Sequence, residues 1–372
     1  FAGTNHNTFG GAMMVMEGTL ELSKTNATAI PYALDIVGPM HDTPNTVLWK
    51  NSNQLGDLAV LTLNEYGFAN LNGHSDIIGS LHGNGVVNLG NGILNTGGDG
   101  SSSVFDGIIS GVNGSLTKTG GGTFTLTRDN TYTGMTTING GKLVVNGFQM
   151  DSAVSLLTGG TLGGTGRVGN VSGLNGHIAP GNSIGKIAVG NLQIFDPDGE
   201  LQIEINGPNA GTDHDQIVVN GAVLFMGGKL KIAMNTPGAI SNQYIIVNND
   251  GADPINGTLP GLPEGTIFDI DGIDFQISYV GGDGNDLVLI QKSSGVELQV
   301  NAVQMLSGGQ IQFTVSATPN ANYRVEAGTN LLGNQTWSLV ATNVPANGEG
   351  LLNYVDTSAT NHSVRFYRFV GE

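Results

Sequence analysis

The 372-residue chain predicts an all-β protein, a long stack of short β-coils followed by a small β-sandwich. Three observations carry that expectation. Glycine supplies 60 residues, about twice its ordinary share of roughly 7 %. Short runs of alternating apolar and polar residues recur between glycine and asparagine corners. Nowhere do apolar residues hold the i, i+3, i+4, i+7 spacing of an amphipathic helix between caps.

Residues 1–115 are β-rich and read as the first coils of the stack. From 116 to 290 the alternating runs sharpen: 123–127 (TFTLT), 142–146 (KLVVN), 186–190 (KIAVG), 200–205 (ELQIEI) and 229–234 (KLKIAM). Period-two alternation sends one set of side chains inward and the other into water. The inward set is Leu126, Leu143, Val145, Ile187, Val189, Leu201 and Ile203. Glycine pairs between the runs supply tight corners. A closed barrel or sandwich of nearly 300 residues would be unusually large, so stacked coils are favoured. Residues 291–295 read as a linker. Beyond them composition changes: residues 296–372 hold only 7 of the 60 glycines. Strand candidates there are 296–306, 310–318, 323–327, 338–342, 351–356 and 365–370. Trp337, Tyr354, Phe366 and Phe369 are expected in the core or between domains.

Charge and composition remove several functions. Thirteen Lys and Arg against 30 Asp and Glu give a net charge of −17, which repels nucleic-acid phosphates and anionic membrane surfaces. No apolar run approaches the roughly 18 residues of a membrane-spanning helix, so no membrane insertion is expected. The absence of cysteine excludes disulfides and thiolate chemistry. The chain opens on Phe1 without a basic and apolar leader, as a mature protein whose signal peptide has been removed. The expected location is extracellular or at the cell surface.

One stretch supports a family resemblance. Residues 116–147 carry Lys118, Gly120, Gly122 and Leu126 in a K-x-G-x-G-x-x-x-L spacing. Asn130, Tyr132, Gly134, Thr136, Gly141 and Leu143 follow as N-x-Y-x-G-x-T-x-x-x-x-G-x-L. This resembles the passenger-associated repeat of bacterial autotransporters, and residues 176–190 and 275–290 look like segments that follow such repeats. The resemblance implies a right-handed parallel β-solenoid, or β-helix, across 116–290, with a small antiparallel β-sandwich behind it. It also implies a bacterial surface protein. The 77 residues after 295 are too few for a translocator barrel, so export by another route is expected. The tail is similar to small fibronectin-like modules of secreted bacterial proteins, through Tyr323 to Ala327, Thr329 to Leu331 and Arg365 to Arg368.

Several constellations invite chemistry. Gly181, Ser183 and Gly185 fit G-x-S-x-G, but a nucleophile elbow needs a helix after the serine, and a strand-like run follows. Ser183 reads as a corner, and no catalytic residue is assigned. Residues 281–289 match one copy of the nine-residue calcium repeat, making Asp283, Asn285 and Asp286 the candidate ligands. Calcium is the one cofactor the sequence admits, and a polar turn is the alternative. Asp213, His214 and Asp215 read as a solvated loop, and the Asp-Gly pairs at 198–199 and 271–272 as turns. Six sequons mark Asn26, Asn113, Asn170, Asn256, Asn334 and Asn361 as glycosylation candidates.

The expected role is structural or adhesive and non-catalytic. Copies of the chain would join head to tail into a fibre, through Phe1, Phe9, Met13 and Val15 at one end and Phe366 and Phe369 at the other. The alternative is a glycan-binding adhesin working as a monomeric stalk. A polysaccharide-degrading enzyme ranks third, because residues 1–295 hold only two arginines, Arg128 and Arg167, and their carboxylates are spread.

Overall fold

A computed structural model of the chain describes residues 1–38, 44–157, 159–173, 175–234, 243–292, 298–329 and 337–371. Two compact units result: residues 1–271 with 275–291, and residues 272–274 with 292–372. Residues 293–297, covering most of the expected linker, and Asn334 lie outside the described residues.

The first unit is a stack of parallel coils. Among the described residues its strands form an 11-stranded sheet from Ala12–Val15 to Lys229–Met234 and a 9-stranded sheet from Asp76–Ile78 to Asn256–Gly257. The third face begins as a 7-stranded sheet, Ala2–Gly3 to Thr131–Tyr132. From Phe148–Gln149 an 8-stranded sheet takes its place in the visiting order. Parallel strands one coil apart stack like on like. Val15 pairs with Ile36, Ile36 with Leu63, Phe105 with Leu126, and Leu126 with Val145. The neighbouring inward column runs Phe124, Leu143, Leu162, Ile178, Leu201, Leu230. All seven side chains expected inward are at most 1 % exposed. A one-residue slip would turn every such column out to water, so the burial fixes the register.

The repeat within 116–145 is explained residue by residue. Lys118 is fully buried, and its ammonium caps the carbonyls of Thr119, Gly120 (3.0 Å) and, one coil on, Gly140 (3.3 Å). Gly120 has φ +66°, and a Cβ there would strike the carbonyl of Gly97. Asn130 accepts the Ile109 N–H of the preceding coil at 2.8 Å. Buried Tyr132 meets Thr136 at 2.7 Å, and Thr136 in turn meets Ser152 (2.7 Å) and Gln149 (2.5 Å). The polar letters of the motif are therefore the groups that satisfy backbone and hydroxyl partners inside the stack.

Nearer the start, Asp76 does similar work. Its Oδ2 accepts the Trp49 indole N–H at 2.5 Å and the backbone N–H groups of Gln54 (2.9 Å) and Leu55 (3.2 Å). Gln54 bonds both the N–H and the carbonyl of Lys24.

The expectation of parallel pairing as far as residue 290 is corrected. Parallel bridges end at Asn256–Gly257, and Asp286–Gln291 runs antiparallel to both Gln243–Asn249 and 275–281. The cause is a hairpin corner at Gly281 to Asn285, where Gly282 (φ +58°) and Gly284 (φ +123°) reverse the chain.

The second unit is an antiparallel sandwich. One sheet joins Gln299–Met305, Ile311–Ser316 and Leu351–Asp356, and the other Ser338–Pro345, Asn322–Gly328 and Phe366–Gly371. Phe313, Val315, Tyr323 and Leu352 form its core, against which Tyr354, Tyr367 and Phe369 pack. Asp356 accepts the Tyr367 hydroxyl at 2.7 Å and pairs with Arg365 at 3.0 Å, which explains two letters of the Arg365 to Arg368 run. The Arg368 guanidinium stacks over Trp337 at 4.6 Å.

Leu201 sits mid-column and fully buried, so Leu201→Asp should cost several kcal/mol, the scale of an unpaired buried charge. Thermal unfolding of the variant checks this, and an unchanged midpoint would contradict the assigned interior.

Candidate functional site

The solenoid faces end in strands bonded on one side only. Ala12–Val15 and Lys229–Met234 are the two termini of the 11-stranded sheet, and among the described residues neither has a partner on its outer edge. Interior members of the inward columns are buried, whereas Met13 at the start and Leu230, Ile232 and Met234 at the end are half-buried. Met14 and Met16 are each 56 % exposed. Beside the last strand lies a groove of about 550 Å³ whose walls include Leu230, Ile232, Phe268 and Ile270.

The expected assembly residues are distributed differently from the expectation. Phe1 and Phe9 pack ring against ring at 6.3 Å, and the Phe1 carbonyl accepts the Ser23 N–H at 2.7 Å. The opening segment thus forms a first coil on its own chain. Val15 is buried in that coil, and Phe369 packs half-buried against the sandwich core. Met13 and Phe366 remain half-buried.

Ser183 lines a cleft of about 300 Å³ with Lys142, Glu204, Asp215 and Lys231. Its hydroxyl donates to Glu204 Oε2 at 2.9 Å, and strand Lys186–Val189 follows. That is a corner with a carboxylate acceptor, without the strand–turn–helix of a nucleophile elbow. Asp215 bonds the N–H groups of Gly185 (2.8 Å) and Glu204 (2.9 Å), while Lys142 donates to the Gly181 carbonyl at 3.1 Å.

The solvated-loop expectation for residues 213–215 is corrected. His214 and Asp215 are each only 2 % exposed. The His214 ring meets Tyr244 edge-on, with its Nδ1 3.1 Å from the Gly207 carbonyl. Burial pushes the Asp215 carboxyl up to about 7, against the pull of its two backbone donors. Asp76 is likewise pushed up by burial, to about 6. These buried carboxyls follow from coil closure, which no local spacing in the sequence marks.

At the calcium-like turn Asp283 is exposed, while Asn285 and Asp286 are buried. The Asn285 amide donates to the Asp253 carbonyl at 3.0 Å, and Asp286 Oδ1 accepts the Asn249 N–H at 2.8 Å. Both residues tie the hairpin to the 249–253 loop. Among the described residues no three His, Asp or Glu side chains converge on one point. Asn26, Asn113, Asn170, Asn256 and Asn361 are exposed, although Asn170 Oδ1 accepts the Asn191 N–H at 2.9 Å.

Residues 116–145 match the passenger-associated transport repeat. The solenoid is of the passenger type. Over 129 residues the chain is 38 % identical to an extracellular serine protease of Serratia marcescens, covering 34 % of this chain and 12 % of that protein. Over 89 residues it is 42 % identical to the adhesin BmaC autotransporter of Brucella suis biovar 1 (strain 1330), covering 23 % of this chain and 2 % of that one. The matched segments are small fractions of both relatives. They mark the passenger-type chain as a secreted or cell-surface protein. No helix among the described residues is long and apolar enough to cross a membrane.

A carboxyl whose folded value is raised binds its proton more tightly folded than unfolded. Its contribution is complete below the unfolded value near 4 and is lost as pH rises through the folded value. Asp76 and Asp215 should therefore stabilise the solenoid on acidification from pH 8 towards 5. His214, held below its ordinary value by burial, acts in the opposite sense. Melting Asp215→Asn beside the parent chain at each pH isolates the carboxyl. The variant should show a flatter profile, and a parent–variant difference independent of pH would contradict the assignment. Ser183→Ala should change unfolding free energy by about 0.5 kcal/mol or less, the scale of an exposed polar contact.

Proposed function

We propose that this chain is a structural and adhesive component of the bacterial surface, that it acts without catalysis, and that copies join head to tail into a fibre. The observation that carries the reading is the continuous 11-stranded sheet with half-buried apolar side chains at both ends. Solenoid coils gain stability only from neighbours, so an open terminal coil favours another coil against it. A contact between two different ends of one molecule is heterologous, and unless rotation closes it, it propagates. The similarity to the Brucella suis adhesin supports the adhesive part.

A glycan-binding stalk has less support. Among the described residues, grooves lined by His6 and Asn53, by Lys142 and Glu204, and by Arg128 and Asp129 present no Phe, Tyr or Trp for a sugar to stack on, and the groove beside Lys229–Met234 presents Phe268 alone. A hydrolytic reading, prompted by the similarity to the Serratia marcescens serine protease, would rest on Ser183, whose hydroxyl is held by Glu204 at a corner.

The test is assembly. Full-length chain should sediment as a polymer and appear as fibres by electron microscopy. Deleting residues 1–14 removes most of the first coil and should yield smaller soluble species. A full-length chain that sediments as a monomer at high concentration would contradict the reading.

A further inference from the structure

Among the described residues, the sandwich has four strands bonded on one side only. Gln299–Met305 and Leu351–Asp356 bound one sheet, Ser338–Pro345 and Phe366–Gly371 the other. An open edge invites another strand, and a charge or a proline normally blunts it. Three of the four are blunted so, by Asp356, Pro345 and Arg368. Gln299–Met305 has neither charge nor proline, and every one of its residues is exposed.

We infer that this strand pairs with the same strand of a second copy, antiparallel about a two-fold axis between Asn301 and Ala302. Val300 of each copy then faces Val303 of the other. A two-fold contact closes on itself, so the inference stands apart from the head-to-tail fibre.

The register follows from the ladder within one chain. Val300, Val303 and Met305 lie opposite Val315, Phe313 and Ile311. Paired residues share a face, and Val315 and Phe313 are core residues, so this row faces the core side of its sheet. Yet the three are 49 %, 60 % and 75 % exposed, because the row runs past what the second sheet covers. In a regular strand residues 300 and 303 would face opposite sides. The bulge between Val300 and Ala302 adds one residue and puts both on the core side. A strand bulged at its middle reads alike from either end, so the two-fold sets core-facing valine on core-facing valine. It also sets Gln299 beside Gln304 on the outer face, and brings no charge together between two chains of net −17 each.

The backbone agrees independently. In an antiparallel ladder a residue aims its N–H and C=O at one neighbour, and the next residue aims them at the other. The Leu306 N–H bonds the Gln310 carbonyl at 2.8 Å, so Met305 and Val303 aim theirs at the open edge. On the far side of Ile311–Ser316 the Ala317 N–H bonds the Gly350 carbonyl at 2.8 Å, so Val315 aims at Leu351–Asp356. Val300, opposite Val315, therefore also aims at the open edge. Val300 and Val303 of the second copy can then exchange two hydrogen bonds, and the axis repeats the pair.

The test uses full-length chain. Across the contact Gln299 and Gln304 form the close kind of pair, with Cα atoms ~4.5 Å apart, within disulfide reach. Gln299→Cys mixed with an equal amount of Gln304→Cys and mildly oxidised should give covalent dimers and nothing larger on a denaturing, non-reducing gel. Either variant alone should run as single chains, because its cysteine lies about 15 Å of strand from its symmetry mate. No dimer from the mixture, or as much from one variant alone, overturns the contact. Adding Val303→Lys to both variants places a charge on the edge at an exposed position, and should abolish the dimer. A dimer that survives it overturns the contact as well. The gel counts only covalent links at residues 299 and 304, so a negative result leaves the fibre reading standing.

Discussion

No coil of this solenoid has a core of its own. A strand such as Lys142 to Val145 buries Leu143 and Val145 only because Phe124 and Leu126 lie beneath it and Leu162 above. Stability is therefore nearest-neighbour and one-dimensional, accumulating along an axis. Parallel register, glycine at the corners and the special status of the two ends all follow from that constraint.

The corners pose the polar half of the problem. There the backbone leaves the ladder, and its N–H and C=O groups need other partners. Lys118 supplies three donors to carbonyls of two coils, Asn130 accepts an N–H from the coil before, and Asp215 clamps two N–H groups across 20 residues of chain. Asp76 does this with the Trp49 indole as an added donor. A buried ammonium or carboxyl without such partners would cost more than the coil gains. The passenger-type repeat reads physically as a requirement for these partners at fixed offsets.

That division explains what was legible in the sequence. Alternation showed the inward residues, Leu126 through Ile203, because period two directly encodes which face is dry. The glycine corners were visible because positive φ demands them. The antiparallel ending departs from the parallel stack that the passenger resemblance implies, although Gly281 to Asn285 between two alternating runs is an ordinary hairpin signal. Burial of His214 and Asp215 was illegible, since their neighbours at Gly185, Glu204 and Tyr244 come from other coils. The open edges of the 11-stranded sheet were half legible: Met13 and Val15 mark the first strand, but Lys229–Met234 alternates like any interior strand, and only the sheet order makes it the last.

Each coil is stable only against its neighbours, and everything else in the solenoid follows from that. Amide hydrogen exchange of the parent chain beside Leu201→Asp tests this most directly. The substitution should speed exchange in the adjoining strands His177–Ile178 and Lys229–Met234 as well as in Glu200–Ile205, because the three share one inward column. Acceleration confined to Glu200–Ile205 would contradict the account.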